Sequence, residues 1–209
     1  MLGGVRSARA GRLRRRAMAP GKKEEEEEAE RLEKVSLVSR AIRPFPDFPK
    51  PGILFRDITP LLKDPDSFRA SIDLLESHLQ KTFPQKIDYI AGLDSRGFLF
   101  GPSLAQRLQI GFILIRKKGK LPGPTVSTSY DLEYGKAELE VQTDALEPGK
   151  KVVIVDDLLA TGGTMGAACD LLRKLKADIL ECVTVIELTT LRGKEKVKPV
   201  PLFSLLQFD

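Results

Sequence analysis

The apolar run Val152-Val153-Ile154-Val155 ends on two adjacent acids, Asp156 and Asp157, and Leu158-Leu159-Ala160 then leads into Thr161-Gly162-Gly163-Thr164. Met165, Ala168, Cys169, Leu172 and Leu175 follow at helical spacing, so the stretch reads as a buried strand, a small-residue loop and a helix. Gly162 and Gly163 let the backbone approach an anion closely, and the N–H groups from Ala160 to Thr164 sit at a helix N-terminus, which favours phosphate. Thr161 and Thr164 add hydroxyl donors. Asp156 and Asp157 would repel a phosphate but suit the hydroxyls of a sugar beside it. The ligand implied is a sugar phosphate. No Lys follows Gly163, which excludes a Walker A loop, and no Gly-x-Gly-x-x-Gly occurs, which excludes the dinucleotide fingerprint. A capped strand–helix turn with merely exposed acids is the weaker alternative.

The same alternation runs through the chain. Strand patterns fall at 87–92, 111–115, 151–155, 179–188 and 203–206, and helical patterns at 65–79 and 98–108. They predict an α/β fold, a parallel twisted sheet flanked by helices, with ligands at the carboxyl ends of the strands. Asp64 suits a helix N-cap, with Pro65 at the first helical position. Ala137–Val141 alternates like an edge strand, and Arg116–Gly135 reads as a basic loop punctuated by Gly and Pro. Pro44, Pro46, Pro49 and Pro51 forbid regular helix and set an extended, turned segment before the short apolar strand Ile53-Leu54-Phe55.

The chain has a net charge of +5 and a pI near 9.2. That basicity invites a nucleic-acid reading, but it is local. Residues 1–23 hold eight Arg and Lys and no acid, so the arm is +8 and the remainder, with 26 basic and 29 acidic residues, is −3. No nucleic-acid partner is therefore expected of the body. No apolar run approaches the roughly 18 residues of a membrane span, so no membrane partner is expected either. Residues 1–30 read as a disordered basic and acidic leader, with the solvated run Glu24–Glu28 opening toward Leu32, Val35, Val38 and Ile42 at helical spacing. An unstructured leader, or a second start at Met18, fits the arm better than a transit signal. Residues 31–209 form one domain. Cys169 and Cys182 are too few for a disulfide framework and fit a reducing compartment. The one histidine, His78, lies in an amphipathic helical pattern and reads as a surface helix residue.

The two acids followed by Thr-Gly-Gly-Thr resemble the phosphoribosyl-pyrophosphate (PRPP) motif of the type I phosphoribosyltransferases. Phe45-Pro46-Asp47-Phe48-Pro49-Lys50-Pro51-Gly52, Phe55-Arg56-Asp57-Ile58, Gly92-Leu93-Asp94-Ser95-Arg96-Gly97-Phe98 and Arg116-Lys117-Lys118-Gly119-Lys120-Leu121-Pro122-Gly123 narrow the resemblance to the adenine-using members, from about Val35 onward. It implies the type I phosphoribosyltransferase fold, with a small hood at 44–60 and a flexible lid loop at 116–135. It implies a purine-salvage glycosyltransferase that makes AMP and pyrophosphate from adenine and PRPP in the cytoplasm, as a homodimer. Magnesium (Mg2+) would be bound mainly through PRPP, pyrophosphate and waters, with no protein metal cage.

The resemblance also distributes roles. Asp156 and Asp157 would take the ribose hydroxyls, and Ala160, Thr161, Gly162, Gly163 and Thr164 the 5′-phosphate. Asp94, Ser95, Arg96 and Gly97 would hold pyrophosphate through a loop with a cis peptide at Asp94-Ser95, Arg96 gripping it bidentately. Arg116 and Lys120 would assist from the lid, which would exclude water during reaction, and Arg116 would reach the neighbouring subunit's site. Phe55 would stack on adenine while the backbone of Leu54 and Arg56 reads its edge, although Phe55 also suits a plain core position. Glu133 would be the catalytic acid–base group and Tyr134 would move with the lid, an exposed lid carboxylate being the alternative for Glu133. A transferase acting on another base, or a non-catalytic PRPP sensor using its arm on nucleic acid, are the rival readings.

Overall fold

The computed structural model describes residues 20–131 and 136–209. Helix α1 (Pro20–Arg40) comes first, and the domain boundary expected near residue 30 falls inside it. Residues 20–30 are thus helical instead of disordered, since Glu, Ala, Lys and Leu are good helix formers and Glu28–Arg31 and Glu30–Lys34 pair along the helix at 2.8 Å each. The expected apolar stripe is buried only from its middle: Leu32 is 54% exposed, whereas Val38 and Ile42 join the core.

Strands β1 (Arg43–Pro46) and β2 (Leu54–Asp57) form an antiparallel hood hairpin in the proline-rich segment. Register Arg43↔Asp57 is reinforced by an ion pair of 2.6 Å between the same two residues. After the short α2 (Thr59–Lys63) comes α3 (Pro65–Thr82), where Asp64 caps as expected by accepting the Ser67 N–H at 2.9 Å. His78 departs from the surface reading. Its ring stacks on Phe203 at 3.5 Å and its Nε2 lies 2.7 Å from Glu181, on elements too distant in sequence to leave a local trace.

The main sheet has the order β5-β6-β4-β3-β7-β8-β9. Strands β3 (Tyr89–Leu93), β4 (Gly111–Lys117), β7 (Lys151–Leu159), β8 (Asp178–Leu188) and β9 (Leu202–Phe208) run parallel, joined in part by helices α4 (Gly97–Leu108) and α5 (Gly163–Lys174). Alternation along β7 shows why the run is uniformly apolar: Val153 and Val155 pack toward α3 and α4, Val152 and Ile154 toward α5. Cys169 on α5 and Cys182 on β8 are free buried thiols with sulfurs 3.7 Å apart.

An antiparallel hairpin extends the parallel sheet at one edge. β5 (Thr125–Asp131) and β6 (Lys136–Gln142) form an antiparallel hairpin, and β6 also runs antiparallel to β4. Much of the stretch expected as loop is therefore strand, because Thr125, Val126, Thr128 and Tyr130 favour a pleated surface and Val126 and Tyr130 pack on the core. Ala137–Val141 is accordingly second from the edge, covered by β5.

Candidate active site

Neighbouring parallel strands β3 and β7 are registered Tyr89↔Val152 to Gly92↔Val155, so the loops that follow them open at the same edge of the sheet. After β3 come Asp94, Ser95 and Arg96, with the expected cis peptide at Asp94-Ser95, and then the first turn of α4. That turn presses on β7 so closely that a Cβ on Gly97 would lie 2.5 Å from the Val155 carbonyl oxygen.

β7 runs beyond the expected Val155 and carries Asp156 and Asp157 within the strand, opposite β8. The loop Ala160–Gly162 then opens α5. Gly162 is the N-cap, at φ 78°, and no side chain caps the helix, which leaves first-turn N–H groups to a ligand. A cleft of about 210 Å³ is lined by Arg96, Asp156, Asp157 and the residues from Leu158 to Met165.

The acid pair is electrostatically strained. Burial pushes the Asp156 carboxyl well above the usual range, and the neighbouring Asp157 charge pushes it further. Asp157, 3% exposed, is raised by burial as well, against the pull of Arg96. Arg96 Nε lies 3.0 Å from Asp157 Oδ2, so the two loops are joined by an ion pair while the Arg96 side chain stays 46% exposed. Ligand-free, this pair favours holding a proton; hydrogen-bond donors or a developing positive charge would favour its release.

Near the end of β4, Arg116 Nε lies 3.3 Å from Asp94 Oδ2, and its Nη1 donates to the Lys120 carbonyl at 3.2 Å. Buried Glu140 accepts the N–H groups of Lys120 and Leu121 at 2.8 Å each. Desolvation raises its pKa, but the N–H groups of Leu121, Gly119 and Lys120 with the Thr125 hydroxyl outweigh that and hold the carboxyl below the usual range. Glu140 was invisible in the sequence, where its position in an alternating strand gave no sign of partners 20 residues earlier. Lys118 is paired with Glu138 at 2.5 Å. Lys174 on α5 donates to the Ser127 carbonyl and to Thr128 Oγ1, so β5 is tied to the helix that starts after the Ala160–Gly162 loop.

The hood residues stand apart from that cleft. Leu54 is 44% exposed, Phe55 meets Phe48 edge-on at 5.1 Å outside both core clusters, and the Arg56 guanidinium lies 4.1 Å over the Phe208 ring. The structure thus brings together Arg96, Asp156, Asp157 and Ala160–Thr164, and links Arg116 and Lys120 to them through Asp94. It does not place Leu54, Phe55 or Arg56 on the lining of that cleft. Glu133 and Tyr134 lie outside the described residues.

A phosphoribosyl transferase domain matches residues 57–206. The chain is 73% identical to the adenine phosphoribosyltransferase of Mus musculus over 176 residues, 84% of this chain and 98% of the mouse protein. Among solved structures it resembles the Saccharomyces cerevisiae adenine phosphoribosyltransferase complexed with an imino-altritol bisphosphate and adenine, with TM-score 0.82, 45% identity and coverage of 84% and 99% of the two chains. It also resembles the Trypanosoma brucei enzyme in complex with AMP, pyrophosphate and ribose-5-phosphate, with TM-score 0.76, 28% identity and coverage of 83% and 79%. Two loops opening from adjacent strands, an acid pair beside them and these likenesses agree: the chain belongs to the adenine phosphoribosyltransferases of the type I phosphoribosyltransferase family.

Proposed function

We propose that the chain transfers the phosphoribosyl group of PRPP to adenine, giving AMP and pyrophosphate. The observation that carries this reading is the Arg96–Asp157 bridge between two loops suited to anions, with the acid pair set between them. The N-terminus of α5 takes the 5′-phosphate, Asp156 and Asp157 accept from the ribose hydroxyls, and the Asp94–Gly97 loop with Arg96 takes the pyrophosphate. As the bond from the anomeric carbon to the pyrophosphate oxygen breaks, the sugar gains oxocarbenium character and the leaving group gains negative charge. Two carboxylates beside the sugar and cations at Arg96, Arg116 and Lys120 stabilise the two ends of that separation. A purine nitrogen then bonds to the anomeric carbon and loses its proton, with Glu133 as the acid–base group and Tyr134 moving with the lid. Phe55 stacks on the base, and the backbone of Leu54 and Arg56 reads its edge.

Magnesium fits as a passenger of the substrate. Among the described residues no three His, Cys, Asp or Glu side chains gather as a metal site, and this ion suits phosphate oxygens and water with few protein ligands. It would neutralise pyrophosphate charge. We read the enzyme as a cytoplasmic homodimer, and the two free buried thiols suit a reducing compartment.

Turnover with PRPP and magnesium, comparing adenine with hypoxanthine, guanine and orotate as acceptors, tests the reading. Adenine should be preferred by at least roughly 100-fold in kcat/KM, since a site built to hydrogen-bond one base edge strongly rejects another. Preference for any of the other three would overturn the base assignment.

A further inference from the structure

Arg56 carries an anomaly. Its Nε is buried and has no hydrogen-bond partner among the described residues, although buried donors are nearly always paired. What holds the side chain is the ring of Phe208, over which the guanidinium lies at 4.1 Å. Phe208 ends β9, paired with Leu188 of β8, and the Thr189 hydroxyl donates to its carbonyl at 3.3 Å and to Asp209 Oδ1 at 2.7 Å. The last residues of the chain are therefore clamped to the main sheet, and from there they reach the hood. Arg56 is also the link between two pinned neighbours. Phe55 is registered against Phe45 and touches Phe48, while Asp57 pairs with Arg43 and accepts the Thr59 N–H at 2.9 Å.

We propose that Phe208 is a positioning residue for the base subsite: its ring fixes Arg56 and so sets where β2 presents Phe55 and the backbone of Leu54 and Arg56. The inference rests on the adenine reading above. The Thr189–Leu191 turn extends the same brace toward the phosphate loop, because Gly193, two residues beyond it, approaches so closely that its Cβ would lie 2.2 Å from the Ala160 carbonyl oxygen. A side chain that only stabilised the fold would affect both substrates alike. One that positions β2 affects adenine alone.

Steady-state kinetics on the full chain separate these. Phe208→Ala should raise the KM for adenine roughly 5- to 30-fold, the range expected for loss of a part-desolvated cation–π contact, with the KM for PRPP within about two-fold of wild type. Phe208→Tyr should restore wild-type values. Phe208→Leu keeps apolar bulk without an aromatic face and should behave as Phe208→Ala, and it decides the matter if the alanine variant fails to fold. A wild-type KM for adenine in Phe208→Leu, or equal rises in both KM values, overturns the positioning role while leaving the reaction intact. Absence of adenine turnover in the wild-type chain overturns the reaction assignment and this role with it.

Discussion

Where we propose that the phosphates of PRPP bind, at the phosphate end of the site, main chain packs on main chain. A Cβ on Gly162 would lie 2.3 Å from the Gly193 carbonyl oxygen, and one on Gly97 would lie 2.5 Å from that of Val155. At the proposed base end the hood is held by side chains, through Arg43–Asp57, Phe48–Phe55 and Arg56–Phe208, with Leu54 and Phe48 44% and 52% exposed. Each such contact is worth only about 1 kcal/mol and can be remade in a shifted geometry. A backbone clash offers no such latitude. The phosphate end should therefore fail abruptly on substitution, and the base and lid ends by degrees.

Gly162→Ala is the harshest way to break that contrast. Gly162 sits at φ 78°, where an alanine is strained by about 1–3 kcal/mol, and the Gly193 backbone blocks the new methyl as well. PRPP affinity, read by calorimetric titration, should fall on the order of 100-fold, with the thermal transition still cooperative. A loss below about three-fold would mean that the loop adjusts as freely as the hood.

The acid pair yields the next effect. Its raised carboxyls make the folded, ligand-free protein bind more protons than the unfolded chain above the ordinary value of 3.8, so stability falls as pH rises through that window. Asp156→Asn removes one buried charge and its repulsion of Asp157. The melting temperature at neutral pH should rise, and its decline between acid and neutral pH should flatten. Turnover should fall roughly 10- to 100-fold, because the carboxylate that meets the ribose as positive charge develops is gone. In the wild type, kcat/KM should decline as pH falls, along a limb above the ordinary carboxylate range. A variant that melts lower at neutral pH than the wild type would show that the pair is not a source of strain.

The same division governs what could be read from the sequence. The Asp156–Thr164 run and the Asp64–Pro65 helix start are contiguous, so residue type and spacing suffice to describe them, whereas the cis peptide of the Asp94-Ser95-Arg96-Gly97 loop is implied only by the family resemblance. β5 was hidden because Gly119, Pro122, Gly123 and Pro124 precede it, and they coloured the whole stretch as loop. Its strand character depends on β6 alongside and on Lys174 reaching Ser127 from α5. The surroundings of His78 are hidden for a similar reason: Glu181 and Phe203 become its neighbours only when β8 and β9 take their places in the sheet. Arg56 was considered for its backbone, and nothing near it in sequence announced Phe208.

The lid offers the mildest and most discriminating substitution. Glu140 fixes the basic turn by accepting two backbone N–H groups, and the Arg116 contact with the Lys120 carbonyl depends on that turn. Its lowered carboxyl pKa means that the contribution is present above the ordinary value of 4.5 and is lost as pH falls through the folded value. Glu140→Gln keeps the one oxygen that accepts both N–H groups and puts its amide nitrogen beside the Thr125 hydroxyl, weakening hydrogen bonds that gain from a charged acceptor. Turnover should fall roughly 5- to 10-fold and PRPP affinity by less, since the cations of this turn are proposed to meet the pyrophosphate most strongly as its charge develops. An equal loss of PRPP affinity would place the lid on the phosphate side of the contrast. Unchanged turnover would show that the cations order themselves without β6, leaving the hood as the adjustable half of the site.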